Sequence, residues 1–234
     1  MTRVLITGAN RGLGLVLARQ LIARGDQVWG TARDPEAAAL AALEPAGIVQ
    51  MDLADEGSIV AAVATVTEQT PAIDLLINCA GIDARALGAP AGARGPFDLD
   101  GETFTQVTRI NATGPMIVTR EALPVLRAGT EPIVLNISSQ LGSMVVAATG
   151  GSDASYCVSK AALNMFTVKA AGALRNEGIT VVALHPGWVR TDMGGDAAPL
   201  SSDQSATSII SVVDGLTIAD TGRFLKWDGS EHPW

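Results

Sequence analysis

Arg3-Val4-Leu5-Ile6-Thr7-Gly8-Ala9-Asn10-Arg11-Gly12-Leu13-Gly14 opens the chain. An unbroken apolar run of this length, with no polar alternation, reads as a strand buried on both faces. The glycines that follow permit a tight turn and a close backbone approach. The segment after them, Leu13–Arg24, has helical character, so its N-terminus presents free N–H groups and a partial positive charge. Strand, glycine turn and helix in immediate succession predict a phosphate cradle at the start of an α/β domain. The spacing is Gly-x-x-x-Gly-x-Gly, distinct from the common dinucleotide pattern Gly-x-Gly-x-x-Gly.

Working outward, the same rhythm repeats. Further strands are expected at Gln27–Thr31, Gly47–Gln50, Ile73–Asn78, Pro132–Ser138 and Thr180–His185. Helices are expected at Glu56–Glu68, Glu102–Arg127 and Ala154–Asn176, with a bend or break from Pro115 and Pro124. This alternation predicts a single-domain, Rossmann-type, doubly wound parallel sheet with helices on both faces, spanning residues 1–234. Ile82–Pro96 and Thr191–Ser205 follow strand ends where open α/β sheets bind ligands, and read as active-site loops; idle surface loops are the alternative.

Composition narrows the function. The 234 residues are 47% hydrophobic, which suits one large core. Sixteen basic against 24 acidic side chains leave a net charge of −8, which disfavours nucleic acid and anionic membrane as partners. No apolar run reaches the ~18 residues of a membrane span. The chain enters a strand-like run directly after Met1, and Cys79 and Cys157 read as two reduced thiols, so a cytoplasmic protein is expected. Two cysteines and two histidines without ligand spacing predict no metal site.

Three further features carry chemistry. The second strand ends in Thr31-Ala32-Arg33-Asp34. An NAD site usually places a carboxylate here for the ribose 2′-hydroxyl, whereas Arg33 can pair with a 2′-phosphate, with Arg11 as a second charge. The alternative is a surface arginine paired to Asp34 or Glu36. Tyr156 and Lys160 stand four residues apart, on one face of a helix, where an ammonium would favour the phenolate and lower a pKa that is ordinarily about 10. The fifth strand leads into Ser138-Ser139-Gln140-Leu141-Gly142, and a serine hydroxyl there could hold a substrate oxygen or cap the turn. His185 reads as a packed residue, and Trp188 as a neighbour either of the ligands or of the turn alone.

Thr7-Gly8 with Gly12 and Gly14, Asn78-Cys79-Ala80-Gly81, Ser139, Tyr156 with Lys160, and Pro186-Gly187, in this order along essentially the whole chain, resemble the classical short-chain dehydrogenase/reductase family. Gly222-Arg223-Phe224, Asp228-Gly229 and Pro233-Trp234 are similar to the branch of C-factor and the sniffer-type carbonyl reductases. The resemblance implies a Ser-Tyr-Lys-Asn mechanism with NADP(H). Gly8, Gly12 and Gly14 would cradle the pyrophosphate and Asp52 would meet the adenine, with Asn10, Arg11, Leu13 and Leu53 also at the cofactor. Asn78, Ala80 and Gly81 would line the adenosine ribose, and Pro186, Gly187, Val189 and Thr191 the nicotinamide. Ser139 would polarise a carbonyl and Tyr156 deliver its proton. Lys160 would hold the nicotinamide ribose and depress the Tyr156 pKa, and Asn111 would anchor a water leading from Lys160. The resemblance also implies hydride transfer from the 4-pro-S face to a small carbonyl substrate, or from an alcohol, and a homodimer or homotetramer. An NAD-dependent alcohol dehydrogenase and a non-catalytic nucleotide-sensing or signalling protein are the rival readings. Cys79 departs from the family's usual second asparagine, and the stretch between Ser139 and Tyr156 is longer than common.

Overall fold

The computed structural model describes residues 1–34, 36, 38–90 and 92–234, so Ala91 of the Ile82–Pro96 loop lies outside the described residues. Seven strands, β1 (Arg3–Thr7), β2 (Gln27–Ala32), β3 (Gly47–Gln50), β4 (Leu75–Asn78), β5 (Ile133–Ile137), β6 (Thr180–His185) and β7 (Phe224–Lys226), form one parallel sheet. Their order is β3-β2-β1-β4-β5-β6-β7. The chain reverses its winding between β1 and β4, and the crevice outside their carboxyl ends is the place where such sheets hold ligands.

Strand side chains alternate between two apolar layers. Leu5 joins Trp29, Ile59, Val118 and Val134 on one face, and Val4 and Ile6 join Leu17, Ile77, Leu135 and Ile209 on the other. The first face is covered by α3 (Glu56–Gln69), α5 (Gly114–Arg127) and α6 (Ala154–Leu174), the second by α1 (Gly12–Ala23) and α7 (Ser202–Asp214). A four-residue α2 (Ala38–Ala41) brings Leu40 into the second layer. With both faces covered, the strands need no polar alternation, which is how they read in the sequence.

Three elements differ from expectation. The helix expected over Glu102–Arg127 is two, α4 (Gly101–Thr108) and α5, separated by a π turn at Arg109–Thr113. The break precedes Pro115, which sits in the first turn of α5, while α5 continues through Pro124 to Arg127. The loop expected to run to Ser205 ends earlier, because Ser201 and Gln204 form a capping box that starts α7. β7 is an added edge strand of three residues, too short to show alternation.

Candidate active site

One cleft of about 600 Å³ runs over the carboxyl ends of the strands, from the glycine loop to the start of α6. Two glycines shape its floor. Gly8 has φ +69°, and a Cβ there would lie 2.9 Å from Ala80 Cα; a Cβ at Gly14 would strike the Gly8 carbonyl oxygen. The turn therefore closes only without side chains and leaves the N-terminus of α1 facing the cleft. The residues expected at the cofactor from Gly8 to Gly14, with Arg33, Asp52, Leu53, Ala80, Gly81, Pro186, Gly187, Val189 and Thr191, all border this cleft. Arg33 lies exposed at the end of β2 and forms no ion pair among the described residues, since Asp34 turns instead to the Glu36 amide at 3.0 Å. A cradle of this shape beside an unpaired guanidinium fits a dinucleotide carrying a 2′-phosphate.

Arg11 borders the cleft and also makes an ion pair across it. Its Nη1 lies 3.1 Å from Asp192 Oδ2, joining the glycine loop to the loop after β6. Asn78 is a correction: it is buried away from the cleft, and its amide donates to Asn136 at 2.8 Å and Thr119 at 3.2 Å. Side chains of β4 and β5 meet inside the sheet at this register, so Asn78 braces strands where its neighbours Cys79, Ala80 and Gly81 reach the cleft.

The chemistry-bearing side chains converge at the other end. Ser139 ends the extension of β5, Tyr156 and Lys160 rise from the first two turns of α6, and all three border the cleft. The Ser139 hydroxyl caps the turn after it, accepting from Leu141 N at 3.1 Å, and also hydrogen-bonds Tyr156. Of the two roles considered for this serine, the turn cap is formed here. Ser138 turns away, donating to Asn164 at 2.5 Å inside the protein.

Lys160 is 3% exposed. Its Nζ donates to the Ile137 carbonyl at 2.8 Å and lies 5.7 Å from the centre of the Tyr156 ring. Burial lowers its pKa to about 8, with Cys79 opposing. The net balance on the Tyr156 phenol is set by burial. Burial pushes the phenol well above its ordinary value; the Ser139 hydrogen bond opposes this, and the carboxylates of Asp83 and Asp153 add to it. The phenol is therefore held protonated at neutral pH, as a proton donor requires.

Asn111 stands in the π turn, fully buried rather than open to the cleft. It clamps the Ile82 backbone, accepting from its N at 2.8 Å and donating to its carbonyl at 2.7 Å, and donates to Ser159 at 2.9 Å. Its amide is thus fully engaged, and its side chain fixes the loop after β4 against α6. Burial holds His185 neutral, with a pKa of about 4, edge-on to His232 at 5.7 Å.

Sequence reasoning passed over four charged residues at this end: Asp83, Arg85, Arg94 and Asp153. Three lie in the segment read as an active-site loop, so a signal was present; that they meet Asp153 depends on the fold.

Among the described residues no group of His, Cys, Asp and Glu could hold a metal ion, and no helix is long and apolar enough to cross a membrane. Comparison with known proteins gives a consistent picture. The family model described as short chain dehydrogenase matches residues 2–200. C-signal of Myxococcus xanthus is 41% identical over 167 residues, covering 70% of this chain and 95% of that protein. The structure of an NADPH-bound carbonyl reductase from chicken fatty liver superposes with a TM-score of 0.89 at 34% identity, covering 100% of this chain and 99% of that one. Carbonyl reductase Sniffer of D. melanogaster superposes with a TM-score of 0.91 at 30% identity, covering both chains completely.

Proposed function

The chain belongs to the short chain dehydrogenase family, and from that membership we propose that it is an NADP(H)-dependent carbonyl reductase acting on a small ketone, aldehyde or quinone. The observation that carries this reading is a single cleft bordered by the glycine cradle and Arg33 at one end and by Ser139, Tyr156 and Lys160 at the other.

NADPH, when bound, supplies the hydride. Gly8 to Gly14 would hold its pyrophosphate against α1, Arg33 its 2′-phosphate, and Lys160 its nicotinamide ribose. The Ser139 and Tyr156 hydroxyls hold the substrate's carbonyl oxygen, which fixes the reacting carbon in place and supplies much of the rate. Tyr156 then donates its proton as negative charge develops on that oxygen. Ile82, Leu141, Trp188 and Met193 give this end of the cleft apolar walls, suited to the carbon skeleton of such a substrate.

Met116, Val158, Met165 and Val168 are large apolar side chains exposed on α5 and α6. They support a homodimer or homotetramer built on these helices. Both cysteines are free, which agrees with a reducing compartment and a cytoplasmic location.

The test is consumption of NADPH with a panel of ketones, aldehydes and quinones, run in parallel with NADH. Turnover with NADPH on at least one carbonyl is expected. Faster turnover with NADH would favour the NAD-dependent alcohol dehydrogenase. Tight NADPH binding with no turnover on any member would favour the second reading, a nucleotide-dependent signalling protein, to which the likeness to C-signal gives weight.

A further inference from the structure

Helix α6 carries both Tyr156 and Lys160, yet its first turn is held in an unusual way. The residue before it, Asp153, is an aspartate at the helix N-cap, a position where the carboxylate normally accepts a hydrogen bond from the second or third helical amide. Here it makes no such bond. Its backbone lies in the left-handed region, at φ +59° and ψ 32°, and its carboxylate forms an ion pair with Arg94. The Arg94 carbonyl in turn accepts from the Ala154 amide at 2.9 Å, satisfying one of the free donors of the helix start. Arg94 therefore grips the helix from both sides of one peptide, by its side chain on Asp153 and by its backbone on Ala154.

The grip extends across the substrate end. Arg94 Nη1 lies 3.9 Å from the carboxylate of Asp83, which accepts from Arg85 Nε at 2.9 Å and Nη2 at 2.5 Å. Arg85 also donates to the Met193 carbonyl at 2.7 Å. Charges alternate along the series Arg85, Asp83, Arg94, Asp153. It joins the loop after β4, the lead-in to α6 and the loop after β6, and all four members border the cleft. Asp83, Arg94 and Asp153 are mostly buried, where solvent and salt screen ion pairs less than at the surface.

We propose that Arg94 is a positioning residue for Tyr156, fixing the first turn of α6 through Asp153 and Ala154 and, through Asp83 and Arg85, setting the spacing of the three loops that wall the substrate end. The proposal rests on the reading of Tyr156 as the proton donor. Its second consequence is electrostatic. The titratable groups facing the Tyr156 hydroxyl are Lys160 and Cys157 on its own helix, Asp153 before it, and Asp83 from the loop after β4. Arg94 is the cation between the two carboxylates. Without it Asp153 loses its cation and Asp83 keeps Arg85 alone, so more negative charge acts on the phenol; without the Asp153 charge the phenol is relieved.

Arg94→Ala, Arg94→Lys and Asp153→Asn test this, asparagine being a residue that tolerates the left-handed backbone. Amide exchange is read first, on the protein alone. In Arg94→Ala, exchange should quicken at residues 154–160 with little change elsewhere, and Arg94→Lys should restore most of the protection. Unchanged protection there in Arg94→Ala overturns the proposal, whether or not any substrate is turned over. If Arg94→Ala does not fold, Asp153→Asn carries the same comparison. Failure of wild-type turnover would count against the carbonyl reductase reading and leaves the exchange test standing.

With a substrate in hand, kcat for alcohol oxidation is followed against pH. Arg94→Ala and Asp153→Asn should both lower kcat about 10- to 100-fold, the scale of a small misplacement of a reacting group. The alkaline rise should move up by about half a pH unit or more in Arg94→Ala, down in Asp153→Asn, and stay near wild type in Arg94→Lys. Shifts of the same sign in the first two, or none, overturn the electrostatic part.

Discussion

The Lys160 ammonium donates to the Ile137 carbonyl at 2.8 Å, so this charge at the candidate site is moored to the backbone of β5 inside the protein. Burial lowers its pKa from 10.5 to about 8. The fold therefore disfavours the charged form. That cost is complete below about pH 8 and is relieved as pH rises towards the unfolded value. Lys160→Met removes it, a gain of up to a few kcal/mol, and leaves the Ile137 carbonyl without its donor, a loss of about 1–3 kcal/mol. The variant should be inactive yet about as stable as wild type near neutrality. Relative to the variant, wild type should gain stability between about pH 8 and about pH 10. Denaturant unfolding at both ends of that range checks this; a gap independent of pH would contradict it.

Tyr156→Phe should keep the fold and NADPH binding and lose at least about 10²-fold in kcat, the usual scale for a general acid. Because burial holds the phenol protonated, the reductive kcat of wild type should be level across neutral pH and fall only on the alkaline side. Steady-state kinetics on the best substrate found settles both points. Near-wild-type kcat in Tyr156→Phe would remove the mechanism.

Arg33 has no carboxylate partner among the described residues, and Ala32 beside it places no negative charge near a 2′-phosphate. Losing a charge-assisted contact costs about 1.5–3 kcal/mol, or roughly 10- to 150-fold. Arg33→Ala should raise KM for NADPH by that order and leave KM for NADH nearly unchanged. Adding Ala32→Asp should turn the preference towards NADH. Equal weakening of both cofactors would show that Arg33 does not read the phosphate.

Arg11 and Asp192 are both exposed, so their ion pair should be worth about 0–1 kcal/mol. Asp192→Asn should leave the unfolding midpoint almost unchanged. It should also release Arg11 and remove a negative charge from the mouth of an anion site, lowering KM for NADPH several-fold at low salt and less at high salt. A KM that does not respond to the substitution at either ionic strength would contradict this.

Met165 and Val158 are exposed on α6. If α5 and α6 make the subunit contact, light scattering should give a multiple of the 24.0 kDa chain mass, and Val158→Glu with Met165→Glu should shift it towards the monomer. A wild-type monomer at micromolar concentration would refute the assembly.

Much of the site was legible along the chain because its parts are local. The glycine cradle, Arg33 at the end of β2, and Tyr156 four residues before Lys160 each lie within one strand end or two helical turns. Asn78 misled because its family position suggests the cleft, while the side chain faces Asn136 across the sheet. The ion pair of Arg11 with Asp192, 181 residues away, was not legible along the chain. α7 announced itself only through the Ser201–Gln204 capping box, and β7 is too short for any periodicity.

The sequence by itself determined six of the seven strands and the glycine cradle, since apolar runs and glycine spacing act over a few residues, while the roles of Ser139, Tyr156 and Lys160 came with the family resemblance. Only the tertiary structure decided which charges surround Tyr156. Asp83 and Asp153 are 70 positions apart in the numbering, and the parallel crossovers that fold the loop after β4 onto the start of α6 bring Arg94 between them. Burial there, which no local pattern reports, holds the phenol protonated and draws the pKa of Lys160 down.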